Sequence, residues 1–184
     1  MKLNIGFFLG SKLGRGNNYS ILTKNVAKWL NQSKHNVVFG GTESGIMRDL
    51  VVNLNRKELK VTAIITKSLM KEHNECSYFN ELILVEDLKK RTEQFLLRSD
   101  VFLALPGGIG TLFEVVEIFN KRVLGETSKK LFIINDFNYW NPLKNLLEHM
   151  IKENFLDKKT VLKNIEFINF CEVKERLDDV QNSG

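Results

Sequence analysis

The chain has few of the residues that build disulfide frameworks, metal sites and chain breaks: two cysteines, three histidines and two prolines in 184 residues. Cys76 and Cys171 lie far apart, so they form neither a redox pair nor a metal-binding spacing. We interpret them as free thiols in a reducing compartment. No apolar run is long enough to span a bilayer, and the first residues lack the pattern of a signal peptide. We therefore expect a cytoplasmic protein with no membrane contact.

Charge of one sign is not concentrated in any segment. The net charge is +5, but many lysines alternate with acidic residues, as in Lys152-Glu153 and Lys174-Glu175. This pattern is typical of a solvated surface, so nucleic acid is not an expected partner. The chain has 43% apolar and 27% charged residues and a length that suits one core. We expect a single domain over residues 1–184.

What the chain does have is a regular alternation of short apolar runs and amphipathic stretches. The runs predict strands at residues 2–9, 36–39, 61–66, 81–85, 101–105, 131–135 and near 167. The stretches predict helices at residues 20–31, 44–54, 87–98, 112–124, 142–152 and 173–180. This order predicts an α/β fold, a Rossmann-like doubly wound parallel sheet in three layers. The polar segment from Lys67 to Asn80 fits neither pattern, which predicts a mobile loop that could serve as a lid.

Three of the predicted strands end in glycine-rich turns: Gly10-Ser11 after the first, Gly40-Gly41 after the second and Gly107-Gly108 after the fifth. In a parallel sheet these strand ends share one edge, where open α/β sheets bind ligands. Glycines let backbone N–H groups approach a ligand closely, and a helix that follows adds unpaired donors and partial positive charge. The three turns together predict a phosphate-binding crevice.

The common phosphate and metal motifs are missing. The sequence has no GxxxxGK[ST], and Gly107-Gly108-Ile109-Gly110 lacks the GxGxxG spacing. A P-loop enzyme and a dinucleotide oxidoreductase are therefore disfavoured, and a bound monophosphate fits better. No acidic cluster follows the strands, so we expect no metal and no cofactor.

Thr111, Glu114 and Arg91 each have a structural interpretation. Thr-x-x-Glu at a helix start is the pattern of a capping box, and spacing alone favours capping over catalysis. Arg91 has basic neighbours along its predicted helix, so its position alone favours a solvated basic face. An arginine directed into the crevice would instead meet a phosphate or a carboxylate.

The segment Pro106-Gly107-Gly108-Ile109-Gly110-Thr111-Leu112-Phe113-Glu114 resembles the PGGxGTxxE signature of the LONELY GUY (LOG) family. Other parts of the chain resemble further motifs of that family, in the same order along the sequence. They are Gly10-Ser11 with Tyr19, residues 39–47, Asp87-Leu88-Lys89-Lys90-Arg91, and residues 138–143 with 153–155. The sequence departs from the family pattern at Thr42, Arg48, Thr92, Phe113 and Asn120.

The resemblance implies a homodimeric Rossmann-like phosphoribohydrolase. Its substrate would be a nucleoside 5′-monophosphate, a cytokinin riboside monophosphate or one like AMP. Cleavage of the N-glycosidic bond would release the free base and ribose 5-phosphate. The catalytic pair of the family falls on Arg91 and Glu114. The implied substrate-binding residues are Gly10, Ser11, Gly41, Thr42, Thr92, Gly107, Gly108, Ile109, Gly110 and Thr111. The alternative is a sensor or carrier of the same fold that binds a nucleotide or cofactor without cleaving it.

Overall fold

The computed structural model describes residues 2–72 and 78–182, which contain one parallel sheet of seven strands. The strands are β1 (Asn4–Phe8), β2 (Asn36–Phe39), β3 (Val61–Thr66), β4 (Glu81–Val85), β5 (Val101–Ala104), β6 (Leu131–Ile134) and β7 (Glu166–Ile168). Their order across the sheet is β4-β3-β2-β1-β5-β6-β7, and every pairing is parallel. The prediction of an α/β fold with a parallel sheet is confirmed.

Helices cover both faces of the sheet. They are α1 (Asn18–Ser33), α2 (Gly45–Val52), α3 (Lys67–Glu72), α4 (Leu88–Arg98), α5 (Ile109–Val123), α6 (Asn141–Lys152), α7 (Lys158–Asn164) and α8 (Val173–Asn182). Apolar residues of α1, α2 and α8 pack in one core, and those of α4, α5 and α6 pack in the other. Alternate residues of β1 supply the two cores, with Phe7 in the first and Phe8 in the second. Burial on both faces explains why the strands are almost uniformly apolar.

The predicted loop from Lys67 to Asn80 is wrong over its first part, which forms α3. The helix begins directly after β3, and the hydroxyl of Thr66 accepts a hydrogen bond from the N–H of Leu69 at 3.3 Å. This bond satisfies one of the donors at the helix start, a role that a threonine fills well. The polar stretch His73-Asn74-Glu75, also assigned to that loop, lies outside the described residues, as does Cys76.

The order of the strands places a switch point between β1 and β5. From β1 the chain moves outward through β2, β3 and β4, then returns to β5 on the other side of β1. The register pairs Phe8 with Ala104, so the two strands end at the same level. The N–H of Gly10 then donates to the carbonyl of Pro106 at 3.1 Å. The first and third glycine turns therefore lie side by side at the crevice that such a switch point creates.

Within residues 2–72 and 78–182, the helices are too short or too polar for any of them to cross a membrane.

Candidate functional site

A pocket of about 500 Å³ opens at the carboxyl ends of β1, β2 and β5. Its size is that of ordinary small-molecule sites. Ten of the predicted site residues line it: Gly10, Ser11, Thr42, Arg91, Gly107, Gly108, Ile109, Gly110, Thr111 and Glu114. The sequence therefore identified about half of the pocket wall, and the roles of these residues toward a ligand remain predictions.

The third glycine turn forms a tight bend that delivers α5 to the pocket. Gly107 lies so close to Thr111 that a β-carbon would overlap the threonine side chain, which explains the glycine. The hydroxyl of Tyr139 donates a hydrogen bond to the carbonyl oxygen of Gly107 and fixes the bend from the opposite side. Gly108 is the N-cap residue, and α5 begins at Ile109.

The first turn of α5 has open hydrogen-bond donors. The N–H of Leu112 bonds to the carbonyl of Gly108 at 3.0 Å, the first bond of the helix. The N–H groups of Ile109, Gly110 and Thr111 precede that bond, so none has a partner within the helix. All three residues line the pocket. With the partial positive charge of the helix start, they form an arrangement suited to an anion.

The predicted capping box of Thr111 and Glu114 is wrong. The N-cap is Gly108, three residues before Thr111, and it makes no side-chain capping bond. Glu114 therefore lies in the second turn of α5 rather than the first. Its carboxylate accepts a hydrogen bond from Arg91 Nη1, with Oε1 at 2.7 Å. The spacing of these two residues matched a cap only because α5 was expected to begin at residue 112.

Arg91 is not part of a solvated face. Its side chain and that of Glu114 are each 12% exposed, and they form an ion pair that joins α4 to α5. Arg91 Nε also donates to the carbonyl of Ile64 at 3.1 Å, and the guanidinium carbon lies 5.3 Å from the ring centre of Phe95. The N-cap residue Asp87 begins α4 by accepting a hydrogen bond from the N–H of Lys90 at 2.8 Å. Arg91 is therefore held in the pocket floor from several sides.

Opposing effects act on the Glu114 carboxyl. Burial raises its pKa above the ordinary value because the charged form loses its hydration. The charge and the hydrogen bond of Arg91 lower the pKa, and the nearby carboxylate of Glu117 raises it. Burial outweighs the ion pair, so Glu114 holds its proton to a higher pH than a solvated glutamate does. A buried carboxyl whose pKa is raised above the ordinary value is suited to acid–base chemistry.

Gly41 and Thr92 do not reach the pocket, although the sequence placed them in the site. Gly41 has a positive φ of 80°, and a β-carbon there would lie 3.0 Å from the β-carbon of Ile65 in β3. The Thr92 hydroxyl lies 2.5 Å from Glu117 Oε2, behind the ion pair. Thr42 does line the pocket, but its hydroxyl donates to the sulfur of Met47 at 3.0 Å.

Eleven residues in the pocket wall lay outside the predicted site, and four of them change its chemistry or shape most. Lys12 belongs to the first glycine turn and brings a positive charge to the pocket. Tyr19 and Tyr139 line the same wall, with ring centres 5.4 Å apart. Leu69 comes from α3, in the stretch that was expected to be a loop. Lys12 could have been found from the sequence, because it directly follows Gly10-Ser11.

Comparison with known proteins gives matches over most of the chain. Residues 45–177 match the model of a family described as "possible lysine decarboxylase". A cytokinin riboside 5′-monophosphate phosphoribohydrolase of Rhodococcoides fascians is 30% identical over 169 residues, which cover 89% of this chain and 85% of that protein. The phosphoribohydrolase LOG5 of Arabidopsis thaliana is 30% identical over 149 residues, 81% of this chain and 65% of that protein. The chain thus spans slightly less than two thirds of the length of the plant relative.

A solved structure supports the fold. The molybdenum cofactor (Moco) carrier protein from Chlamydomonas reinhardtii superposes with a TM-score of 0.71 over 100% of both chains, at 12% identity. At this identity the likeness extends to the fold alone. The family assignment depends on the sequence matches, which agree with the PGGxGTxxE segment that forms the pocket bend. The chain belongs to the LONELY GUY family, whose model has the description "possible lysine decarboxylase".

Proposed function

We propose that this protein is a hydrolase that cleaves the N-glycosidic bond of a nucleoside 5′-monophosphate and releases the free base and ribose 5-phosphate. The observation that carries the proposal is the buried Arg91–Glu114 ion pair, which shares one pocket with the open first turn of α5. One end of such a pocket suits a phosphate, and the other end offers a carboxylate for chemistry. The named activity of the Rhodococcoides fascians and Arabidopsis thaliana relatives supports the same reaction.

The phosphate would bind at the start of α5. The N–H groups of Ile109, Gly110 and Thr111 would donate to its oxygens, and the Thr111 hydroxyl would add a further donor. Gly10 and Ser11 form the neighbouring wall, and Lys12 would neutralise part of the dianion from the same turn. A phosphate held there fixes the position of the ribose relative to Glu114.

Cleavage of the bond to the base develops positive charge on the ribose, as in other glycoside hydrolyses. Glu114 in its ionised form would stabilise that charge and accept a proton from the attacking water. The water oxygen then forms the new bond to the anomeric carbon, the electron pair of the broken bond leaves with the base, and the base gains a proton. Arg91 would hold the carboxylate in place and keep it ionised until it accepts the proton of the attacking water.

Tyr19 and Tyr139 offer aromatic surface in the pocket wall, and the ring centre of Phe137 lies 6.1 Å from that of Tyr19. Flat aromatic rings stack well on nucleobases. We propose this surface as the base-binding side of the pocket, which suits a purine of the AMP or cytokinin type.

The assembly and compartment are also proposals. Phe113 and Val116 on the exposed face of α5 are 48% and 46% exposed, and Leu124 at the C-cap of this helix is 63% exposed. An apolar face beside the site suits pairing with a second copy, as in a homodimer. The exposed thiol of Cys171 suits the reducing conditions of the cytoplasm.

A substrate panel tests the function. The purified protein is incubated with nucleoside 5′-monophosphates, and with the matching nucleosides as controls, and free base and ribose 5-phosphate are measured. We expect base release from a purine monophosphate and at least 100-fold less from the nucleoside, because the phosphate contacts position the ribose. A rise in melting temperature with AMP but no base release would contradict the proposal and favour the binding protein.

A further inference from the structure

Two side-chain pairs connect α4 and α5 at neighbouring positions of both helices. Arg91 and Glu114 form the first pair at 2.7 Å. Thr92 and Glu117, the next residue of α4 and the residue one turn further along α5, form the second at 2.5 Å. Thr92 is 8% exposed, so its hydroxyl has little access to water. The carbonyl of Leu88 lies 3.2 Å from the same hydroxyl, but the shorter distance directs its proton to Glu117.

This arrangement places the carboxylate of Glu117 close enough to Glu114 for its charge to act on that carboxyl. Residues three apart on a helix are neighbours on its surface, so Glu117 lies beside Glu114. The charged and titratable groups around Glu114 are Arg91 from α4, Glu117 from α5, and Lys12, Tyr19 and Tyr139 from across the pocket.

The other charged groups near this pair have their own partners. Glu93 pairs with Lys90 at 3.7 Å. Lys121, one turn beyond Glu117 on α5, pairs with Glu126 at 2.9 Å, and its pKa is raised by the hydrogen bond to Glu126 and, to a smaller extent, by the charge of Glu117. Glu117 is therefore a negative charge that the Thr92 hydroxyl holds in place near Glu114, and the hydrogen bond of the nearby Lys121 goes to Glu126 instead.

We propose that Glu117 is a positioning residue that makes Glu114 a stronger base, with its charge held in place beside the ion pair by the Thr92 hydroxyl. The proposal depends on the function proposed above, in which Glu114 accepts a proton from water. A nearby negative charge disfavours the ionised form of Glu114, so the carboxylate takes up a proton more readily. The burial of Glu114 acts in the same direction, and Arg91 opposes both.

The proposal makes a directional prediction for the Glu117→Gln variant, which keeps the shape of the side chain and removes its charge. Ionisation of Glu114 should then extend to lower pH. The acid limb of the kcat/KM profile for AMP moves in the same direction, and the ratio of kcat/KM at pH 5 to that at pH 7.5 rises about threefold or more. On the plateau above the limb, kcat falls severalfold because the base is weaker.

Matched variants separate this effect from a general loss of charge. Glu93→Gln removes one negative charge from the solvated side of α4 and should leave the profile where it is. Thr92→Ser keeps the hydroxyl and should resemble the wild type. Thr92→Val removes the hydrogen bond to Glu117 and should shift the limb in the direction of Glu117→Gln, by less.

A second readout does not need turnover. The side-chain carboxyl carbon of Glu114 can be followed by NMR with ¹³C-labelled glutamate, and its signal is assigned by its loss in Glu114→Gln. The midpoint of its titration should move to lower pH in Glu117→Gln and stay in place in Glu93→Gln. An equal midpoint in both variants overturns the proposal, and so does a shift to higher pH.

The two readouts also separate the two proposals. A wild-type protein that releases no base, but whose Glu114 titration responds to Glu117→Gln, contradicts the proposed function and leaves the electrostatic coupling intact. If Glu117→Gln does not fold, Thr92→Val carries the same test, because it leaves both carboxylates in place.

Discussion

The helices α2 and α5 begin in nearly the same way in the sequence and differ in what their first turns offer to a ligand. Each follows a strand and a pair of glycines, and each starts at the carboxyl edge of the sheet. In α2 the N–H of Ile46 donates to the carbonyl of Lys12 at 3.4 Å, and that of Met47 donates to the carbonyl of Gly10 at 3.2 Å. The first turn of α2 is therefore occupied by the backbone of the turn after β1.

In α5 the corresponding donors belong to Ile109, Gly110 and Thr111, and they line the pocket. The difference teaches that a glycine turn before a helix is an anion site only where the protein leaves the helix donors unused. In α2 the donors instead hold the first glycine turn in place beside the bend at Gly107. One helix start thus serves as scaffold and the other as the candidate binding site.

The largest expected difference between the two helices is in kcat/KM, after removal of one carboxylate from each. Glu114→Gln on α5 should lower kcat/KM for AMP by about 10²–10³-fold, because it removes a charge that stabilises the transition state. Asp49→Asn on α2 removes an equal charge and should change kcat/KM less than about twofold. Measurement of ribose 5-phosphate release checks both. A Glu114→Gln protein with nearly full activity would remove α5 from its assigned role.

Replacement of a glycine by alanine at each helix start should affect the free energy of unfolding differently. Gly45 at the start of α2 has a φ of 56°, and a β-carbon there would overlap the backbone of Ser11 and Lys12. Gly45→Ala should therefore lower the free energy of unfolding by about 1–3 kcal/mol. A β-carbon on Gly108 meets nothing within 4 Å and would project into open space at the pocket.

Gly108→Ala should consequently keep the unfolding free energy of the wild type and raise KM for AMP, since the added methyl group occupies space next to the helix donors. Urea denaturation and steady-state kinetics on the same two proteins provide the measurements. The comparison of the two helix starts would be wrong if Gly108→Ala destabilised the fold and left KM unchanged, or if Gly45→Ala were harmless.

The smallest expected effect concerns His35, which lies at the amino end of β2, away from the pocket. Here pH should change the free energy of unfolding and not the activity. His35 Nδ1 accepts a hydrogen bond from the N–H of Leu3 at 3.1 Å, and burial lowers the pKa of His35 from its ordinary 6.5. The unfolded chain therefore binds a proton more readily than the folded one. The stability from this group is complete above about pH 6.5 and is lost as the pH falls toward the lower folded-state value.

Replacement of His35 by Asn should make the unfolding free energy less dependent on pH between 7 and 5, by about 1 kcal/mol or less, while the acid limb of the pH–rate profile stays unchanged. Urea denaturation at several pH values measures the first quantity. If the variant kept the full pH dependence of stability, the titration would have to be assigned to other groups.

The alternation of patterns in the sequence was sufficient to predict the sheet and most helices, because strands buried on both faces must be apolar. Helices α3 and α7 were missed because each is short and mostly polar, as in Lys158–Asn164, so hydrophobic spacing gives little signal. The sequence placed Arg91 near the start of α4, at the carboxyl edge of the sheet, but it did not predict where the side chain points. Only the burial of its guanidinium against Ile64 and Phe95 distinguishes a pocket residue from a surface residue.

The sequence predicted that the glycine motifs form turns, but not which of the two following helices keeps its first N–H donors open. Gly40-Gly41 and Gly107-Gly108 have the same local chemistry, and the backbone of a third segment, Gly10 to Lys12, determines which helix remains open. The misassigned cap at Thr111 has the same origin, since a glycine can begin a helix earlier than side-chain preferences indicate. Both are tertiary effects that no local window of residues contains.

The hydrogen bond from the Tyr139 hydroxyl to Gly107 ties the segment between β6 and α6 to the bend before α5. Phe137 and Asn138 lie just ahead of that tyrosine, and both have left-handed backbone angles that side chains rarely adopt. Two residues with left-handed backbone angles thus directly precede the tyrosine that is hydrogen-bonded to the bend. Loss of this hydrogen bond, as in Tyr139→Phe, should therefore weaken the support of the bend from the β6–α6 side.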